Sequence, residues 1–408
     1  MRVLHLNTHC SGGSYEHAAL LSAALSEQGI ESSLLCRGST LAESGWPFLD
    51  RVIRRAYVSL SKEPWHGTRR LLSPPTPADL QGVDVVHLHT VADWFDVPRW
   101  LETLPHKIGV VISLHDMWHV TGGCFLYRGC NRFTETCAPC PILKAPLNRI
   151  LAKDEQRRKL QAYRARRVQF IANSQWLADL ATRSSIVTAC GRPRVIPPGI
   201  DTNVFRPQER AQCRSQLGIP PEAFVIAAGA ASLADTNKNI PWLLEQLAGL
   251  SELKNLLVVL AGEGNVDIPS NLNMRLMSGI SDRSQRATFF GAADVFVSAS
   301  LMETYGLTLI EAMSCGTPVV AFLTGGIPEA VPNEAGILCE LLDADALKTG
   351  IQELRNREEL RNELGNAATK VVAARNNKAR FATAFARVYE ACLCPGQTRL
   401  IQQSALMP

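Results

Sequence analysis

Residues 295–330 read as strand, loop, helix, strand and loop, an order that commits this part of the chain to a parallel sheet. Val295-Phe-Val-Ser is a short apolar run, and the polar loop after it holds Glu303. Gly306 opens a short helix that carries Glu311 and ends at Gly316. Pro318 starts the next strand, which leads into a second loop at Gly325-Gly326. The layout sets two carboxylates and a helix N-terminus at the carboxyl edge of the sheet, where open α/β sheets bind ligands. Helix N-terminal N–H groups there favour a phosphate.

The same alternation runs along the rest of the chain. Periodicity predicts strands at 2–7, 32–36, 84–89, 108–114 and 168–172, with helices at 15–28, 93–104, 150–166 and 175–184. A second series begins near 195, with strands around 224–229, 256–261, 294–298, 318–321 and 336–339. Helices near 240–250, 284–291, 307–314 and 344–355 separate them. The expected class is α/β, with two doubly wound, Rossmann-like domains. Length agrees, since 408 residues exceed one ordinary core and suggest two domains of about 200 residues each. Pro197-Pro198-Gly199 reads as the junction. The last helices, about 357–372 and 377–392, have no partner strands, and the tail from Pro395 is expected to be loosely held.

Hydrophobic content of 46% with 20% charged residues describes a globular chain and excludes a disordered one. A net charge of only +4 argues against a nucleic-acid binder. No stretch approaches the roughly 18 apolar residues of a spanning helix. The start Met1-Arg-Val-Leu-His-Leu reads as a first strand and not as an export signal. A cytoplasmic location follows as the expectation. Two basic stretches stand out: Arg51, Arg54, Arg55, Lys62, Arg69 and Arg70, then Lys144, Arg149, Lys153, Arg157, Arg158, Lys159, Arg164, Arg166 and Arg167. They are either solvated helix faces or a surface for anionic lipid at the inner face of the cell membrane. Tyr57, Leu60 and Trp65 interleave the first stretch.

Four further segments carry chemistry. Gly12 and Gly13 follow the first strand and precede a helix, which lets backbone N–H groups approach a phosphate. His115 and Asp116 sit at the carboxyl end of the strand predicted at 108–114. Lys238, after the strand at 224–229, is a compact cation suited to a diphosphate leaving group. Gly262 and Glu263 lie in the loop after the strand predicted at 256–261.

The run from Glu303 to Glu311, with Gly316-Thr-Pro-Val-Val and Gly325-Gly-Ile-Pro-Glu329, closely resembles the Glu-x7-Glu signature of retaining, nucleotide-sugar-dependent glycosyltransferases of family 4. The similarity covers most of residues 1–340, including Phe170-Ile-Ala-Asn-Ser174 and Val195-Ile-Pro-Pro-Gly199. It implies the GT-B fold, two Rossmann-like domains facing a central cleft. Residues 1–197, joined by a crossover helix near 380–394, would form the acceptor side, and 198–379 would bind the donor. Within that resemblance Glu311 takes the ribose hydroxyls of a UDP- or GDP-sugar, and Glu303 the transferred sugar. Backbone N–H groups at Thr304, Tyr305 and Gly306 take the distal phosphates. Gly12 and Gly13 meet the diphosphate, His115 the donor sugar, and Gly262 with Glu263 flank the base. Lys238 and the helix dipole supply positive charge, so no catalytic metal is expected. The chemistry implied is front-face transfer to a glycan, lipid-linked or small-molecule acceptor, in the building of a surface polysaccharide. Ser232 stands where the family usually has an Arg, and one cationic donor is therefore missing. That departure is the sole support for a catalytically silent, nucleotide-sugar-binding subunit. A sugar-nucleotide epimerase and a natural-product glycosyltransferase are further alternatives within the same fold.

Cys124, Cys130, Cys137 and Cys140 lie within one loop. In a reducing compartment a disulfide framework is disfavoured. Four thiolates ending in Cys-x2-Cys suit a structural, tetrahedral zinc; the alternatives are four reduced thiols in a partly buried loop and an iron–sulfur cluster, whose usual spacing is lacking. The loop also resembles one in exopolysaccharide glycosyltransferases of the colanic-acid type, where it would shape the acceptor side.

Overall fold

Every strand pairing in the two sheets is parallel. The computed structural model describes residues 1–37, 61, 65–68, 72–280 and 282–393. They form two compact units, Met1–Pro197 with the chain from Ala379 onward, and Pro198–Lys378. The first sheet contains β1 (Arg2–Asn7), β2 (Glu31–Cys36), β3 (Val85–Leu88), β4 (Gly109–Leu114), β5 (Gln169–Ala172) and β6 (Arg194–Val195) in the order β2-β1-β3-β4-β5-β6. The second contains β7 (Phe224–Ser232), β8 (Leu256–Glu263), β9 (Met274–Met277), β10 (Val295–Ser298), β11 (Val319–Phe322) and β12 (Gly336–Cys339) in the order β12-β11-β10-β7-β8-β9. Each order reverses once, between β1 and β3 and between β7 and β10. A crevice opens at such a switch point, outside the carboxyl ends of the strands.

Strands such as Val85-Val-His-Leu and Val319-Val-Ala-Phe are buried along their whole length. Continuous apolar runs of this kind belong to parallel sheets covered on both faces. Several helices begin on side-chain caps: Asp96, Ser174, Asp282 and Asp343 each accept a hydrogen bond from a first-turn N–H. The helix Lys378–Leu393 packs Phe381, Phe385, Val388 and Tyr389 against Val3, Val85, Val111 and Ile171 of the N-terminal sheet. In the C-terminal unit, buried Asp294 accepts from Arg214 at 2.6 Å and from the Val225 N–H at 2.7 Å, tying the start of β10 to β7.

Three corrections concern elements and surface. Strands β6 and β9 and the helices Ser185–Cys190, Arg210–Leu217 and Ile327–Ala330 are absent from the periodic reading. A two-residue strand has no period, and β9 is a half-exposed edge strand with no apolar run. Of the first basic stretch, all six cations, with Tyr57 and Leu60, lie outside the described residues, and Trp65 is buried in the N-terminal core rather than facing lipid. In the second stretch, Lys159 is fully buried, donating to the carbonyls of Trp118 and Thr121. Arg158 pairs with Asp96, and Arg166 donates to the carbonyls of Leu104, Pro105 and Ile108. These three serve packing; Lys144, Arg149, Lys153, Arg157, Arg164 and Arg167 remain exposed. No helix among the described residues is long and apolar enough to cross a membrane.

Candidate functional site

At the switch point of the C-terminal unit, three loops are stitched together at the carboxyl edge of the sheet. The loop after β7 donates from Asn237 Nδ2 to the Met302 carbonyl at 2.8 Å, and Leu301 N–H returns to the Asn237 carbonyl at 2.8 Å. The loop after β11 joins through Gly326 N–H to the Glu303 carbonyl at 2.8 Å and Thr324 Oγ1 to the Leu301 carbonyl at 2.9 Å. Gly325 lies at φ +59°, where an added Cβ would fall 2.0 Å from the Glu303 oxygen, so this close approach requires glycine. The stitching brings Lys238 Nζ to 2.5 Å from Glu303 Oε1, although 65 residues separate them. Both side chains keep part of their surface in solvent.

Gly306, at φ +102°, caps the helix Leu307–Ser314 and directs its N-terminus to this edge. Tyr305 turns its side chain inward, where Oη accepts from Asn376 Nδ2 at 3.0 Å. The Tyr305 side chain is therefore part of the core and offers no hydroxyl at the edge. Glu311, one turn along, is nearly buried and pairs with Arg286 at 3.2 Å. Arg286 was not legible as a partner, because it comes from the helix Arg283–Ala292. Gly262 allows β8 to pass close to the Ala230 carbonyl. Exposed Glu263 accepts from the Gly279 N–H at 2.6 Å. Ser232 ends β7, exposed, with a neutral hydroxyl at the position that would carry the Arg.

In the N-terminal unit Gly12 caps the helix Gly13–Glu27 at φ +87°, with open space around it. His115 follows β4 and joins a set of histidines that the sequence reading passed over. His5 Nδ1 lies 3.0 Å from His89 Nε2, and His89 Nδ1 lies 3.0 Å from His115 Nε2. His87 bridges the hydroxyls of Tyr389 and Ser113, each at 2.8 Å. Burial pushes the pKa of His115 down to about 4 and that of His5 to about 3, and lowers those of His17, His87 and His89 well below the usual value. The rings are therefore neutral near pH 7. The available signal was the alternation His87-Leu88-His89 beside His5, which places imidazoles at matched depth on paired strands. Asp116 Oδ1 accepts from the Trp118 N–H at 2.7 Å, and burial raises its pKa to about 6. Its visible task is to hold the turn after β4.

The arrangement of the cysteine loop does not support the zinc expectation. A zinc ion with Zn–S bonds of about 2.3 Å needs its sulfurs close together, yet no three of Cys124, Cys130, Cys137 and Cys140 lie mutually within 4.8 Å. All four instead line a cavity of about 230 Å³ with Met117, Leu126, Phe133 and Ile142. Burial pushes the Cys124 and Cys137 pKa up to about 12. Such thiols are neutral and act as small apolar groups.

Two family models match the chain: Glycosyltransferase Family 4 over residues 11–204 and Glycosyl transferases group 1 over residues 214–371. Among curated proteins it is similar to the D-inositol 3-phosphate glycosyltransferase of Saccharomonospora viridis, 33% identical over 43% of this chain and 44% of that protein. The counterpart in Segniliparus rotundus is 32% identical over 42% of this chain and 41% of that one. The similarity thus spans less than half the length of these relatives. Among solved structures, a sucrose-phosphate synthase from Thermosynechococcus elongatus matches with a TM-score of 0.68 at 18% identity, covering 95% of this chain and 98% of that one. HepE of Anabaena, solved in complex with UDP-glucose, matches with a TM-score of 0.60 at 16% identity over 96% of this chain and 100% of that one. These likenesses are of fold.

Proposed function

The chain belongs to the group 1, family 4 glycosyltransferases, retaining enzymes of GT-B fold that use nucleotide sugars, and on that premise we propose that it moves a sugar from a nucleoside-diphosphate donor to an acceptor hydroxyl. The observation that carries this reading is the meeting of Lys238, Glu303 and the Gly306-capped helix at one switch point. A cation and a helix N-terminus there suit a diphosphate, and they stabilise the charge that develops as it leaves. Thr304, Tyr305 and Gly306 offer backbone N–H groups to the distal phosphates. Glu311, steadied by Arg286, accepts from the ribose hydroxyls. Glu303 contacts the transferred sugar, and Gly262 with Glu263 flank the base. Gly12 and Gly13 are assigned to phosphate, and His115, neutral, to a sugar hydroxyl.

In the transfer the bond from the anomeric carbon to the donor phosphate oxygen breaks, and a bond to the acceptor oxygen forms on the same face. The acceptor proton passes to the departing phosphate oxygen, and Lys238 offsets the charge left on the diphosphate. UDP is the first donor to test, because HepE binds UDP-glucose. The acceptor is a glycan, lipid-linked or small-molecule hydroxyl, in assembly of a surface polysaccharide at the inner face of the membrane. Exposed Lys144, Arg149, Lys153, Arg157 and Arg164 support an acceptor with an anionic group or an anionic membrane beside it.

Melting the protein with UDP, GDP, ADP and dTDP and their sugar conjugates tests the donor assignment. A nucleotide at 100 times its dissociation constant adds about 2.7 kcal/mol of stability. A shift with UDP that disappears in Glu311→Ala is the expected result. No shift with any nucleotide overturns the reading, and a shift without turnover on any acceptor would favour a binding subunit.

A further inference from the structure

We infer that the N-terminal unit holds a binding site for one divalent transition-metal ion, formed by His17, His89 and His115. One nitrogen from each ring lies within 4.8 Å of the others. The three come from different elements: His17 from the helix Gly13–Glu27, His89 from the end of β3 and His115 from the end of β4. Together they sit at the switch point between β1 and β3.

A second histidine triple, His5, His87 and His89, meets the same distance test. Hydrogen-bond accounting separates the two. His87 has both nitrogens engaged, by Tyr389 and Ser113, and His5 has both engaged, by His89 and Ser32. His17 differs, because its ring is buried while its Nε2 has no hydrogen-bond partner among the described residues. Buried polar atoms are rarely left so without a use.

The surroundings also supply what a metal-bound imidazole needs on its far side. A ligating histidine donates its other N–H to a fixed acceptor. With the proton on Nε2, His89 donates to His5 Nδ1 at 3.0 Å, and His5 donates from its own Nε2 to Ser32 Oγ at 3.1 Å. Ser32 Oγ passes the chain on to Ser22 Oγ at 2.9 Å. This arrangement leaves the His89 Nδ1 lone pair facing His115 Nε2, 3.0 Å away. Two nitrogens on a tetrahedral zinc, at Zn–N of about 2.0–2.1 Å, lie about 3.3 Å apart, so only a small opening admits the ion. The three rings stay neutral and no proton is lost from the set, since each imidazole keeps one proton on its outer nitrogen. An imidazole-only set selects Zn²⁺, Co²⁺ or Ni²⁺ over Mg²⁺ and Ca²⁺.

Cobalt(II) added to the chelator-stripped full-length protein tests the site without reference to sugar transfer. The expected result is one retained equivalent with the visible bands of an imidazole-ligated ion, no thiolate charge-transfer band, and a raised melting temperature. His17→Phe should abolish all of these while keeping an aromatic ring against Phe381 and Phe385. Cys124→Ser should leave them unchanged. Should His17→Phe fail to fold, His115→Asn takes its place. Failure to retain cobalt overturns the inference. So does a cobalt spectrum that survives both histidine variants, or a thiolate band lost in Cys124→Ser, which would place the ion in the cysteine loop.

Discussion

The two switch points share one topology and differ in chemistry. Around β7 and β10 two loops present Lys238 and Glu303, and two helices present Glu311 and its partner Arg286, charged groups set in ion pairs. Around β1 and β3 the corresponding place is filled by histidines that burial keeps neutral. On the function proposed, the charged crevice would take the diphosphate, whereas a neutral, desolvated one can hydrogen-bond a hydroxyl or ligate a metal but exerts little pull on an anion. The same strand order thus carries two crevices of different chemistry, and the difference lies in a few side chains at the ends of strands and the starts of helices.

The contrast breaks most sharply at Lys238. Lys238→Ala should lower donor turnover about 100-fold or more with folding intact, since one donor to a developing charge is worth that much. Steady-state kinetics with the nucleotide sugar that stabilises the protein would show it, and a variant at wild-type rate would remove Lys238 from the machinery. The histidine side should answer in stability instead. His87→Phe strips the buried Tyr389 and Ser113 hydroxyls of their partner and should cost about 2 kcal/mol. Its urea midpoint should fall while nucleotide affinity stays put; a lost nucleotide shift would deny that the two crevices are separate in function. The smallest effect is a gain. Ser232→Arg restores a cation at the exposed end of β7 and should tighten donor binding by about 0.5–1 kcal/mol, a few-fold in KM. An unchanged KM would mean that Lys238 and backbone alone hold the diphosphate.

The legible part of the fold was that built from local pattern. The predicted strand at 294–298, helix at 307–314 and strand at 318–321 stand as Val295–Ser298, Leu307–Ser314 and Val319–Phe322. Edge strand β9 escaped because it is half exposed and carries no apolar period. In the candidate site, the carboxylates and the lysine could be read from their places after strands. Arg286 could not, since nothing near it in the chain marks it as the partner of Glu311. The cysteine loop shows the opposite failure. Its spacing suggested a shared ion, but spacing along a loop does not by itself bring three sulfurs within reach of one ion.

By itself, the sequence determined the alternation of strand and helix, the parallel class of sheet and the loop residues placed at the carboxyl edges. Caps, glycines at positive φ and the periods of 2 and 3.6 act over a few residues, so they are written locally. Only the tertiary structure decided which loops meet. Lys238 reaches Glu303 because β10 returns to lie beside β7, and His5, His89 and His115 form one chain because β1, β3 and β4 are neighbours in the sheet. Strand order is settled by burial of whole faces across the domain, and short-range pattern carries no record of it.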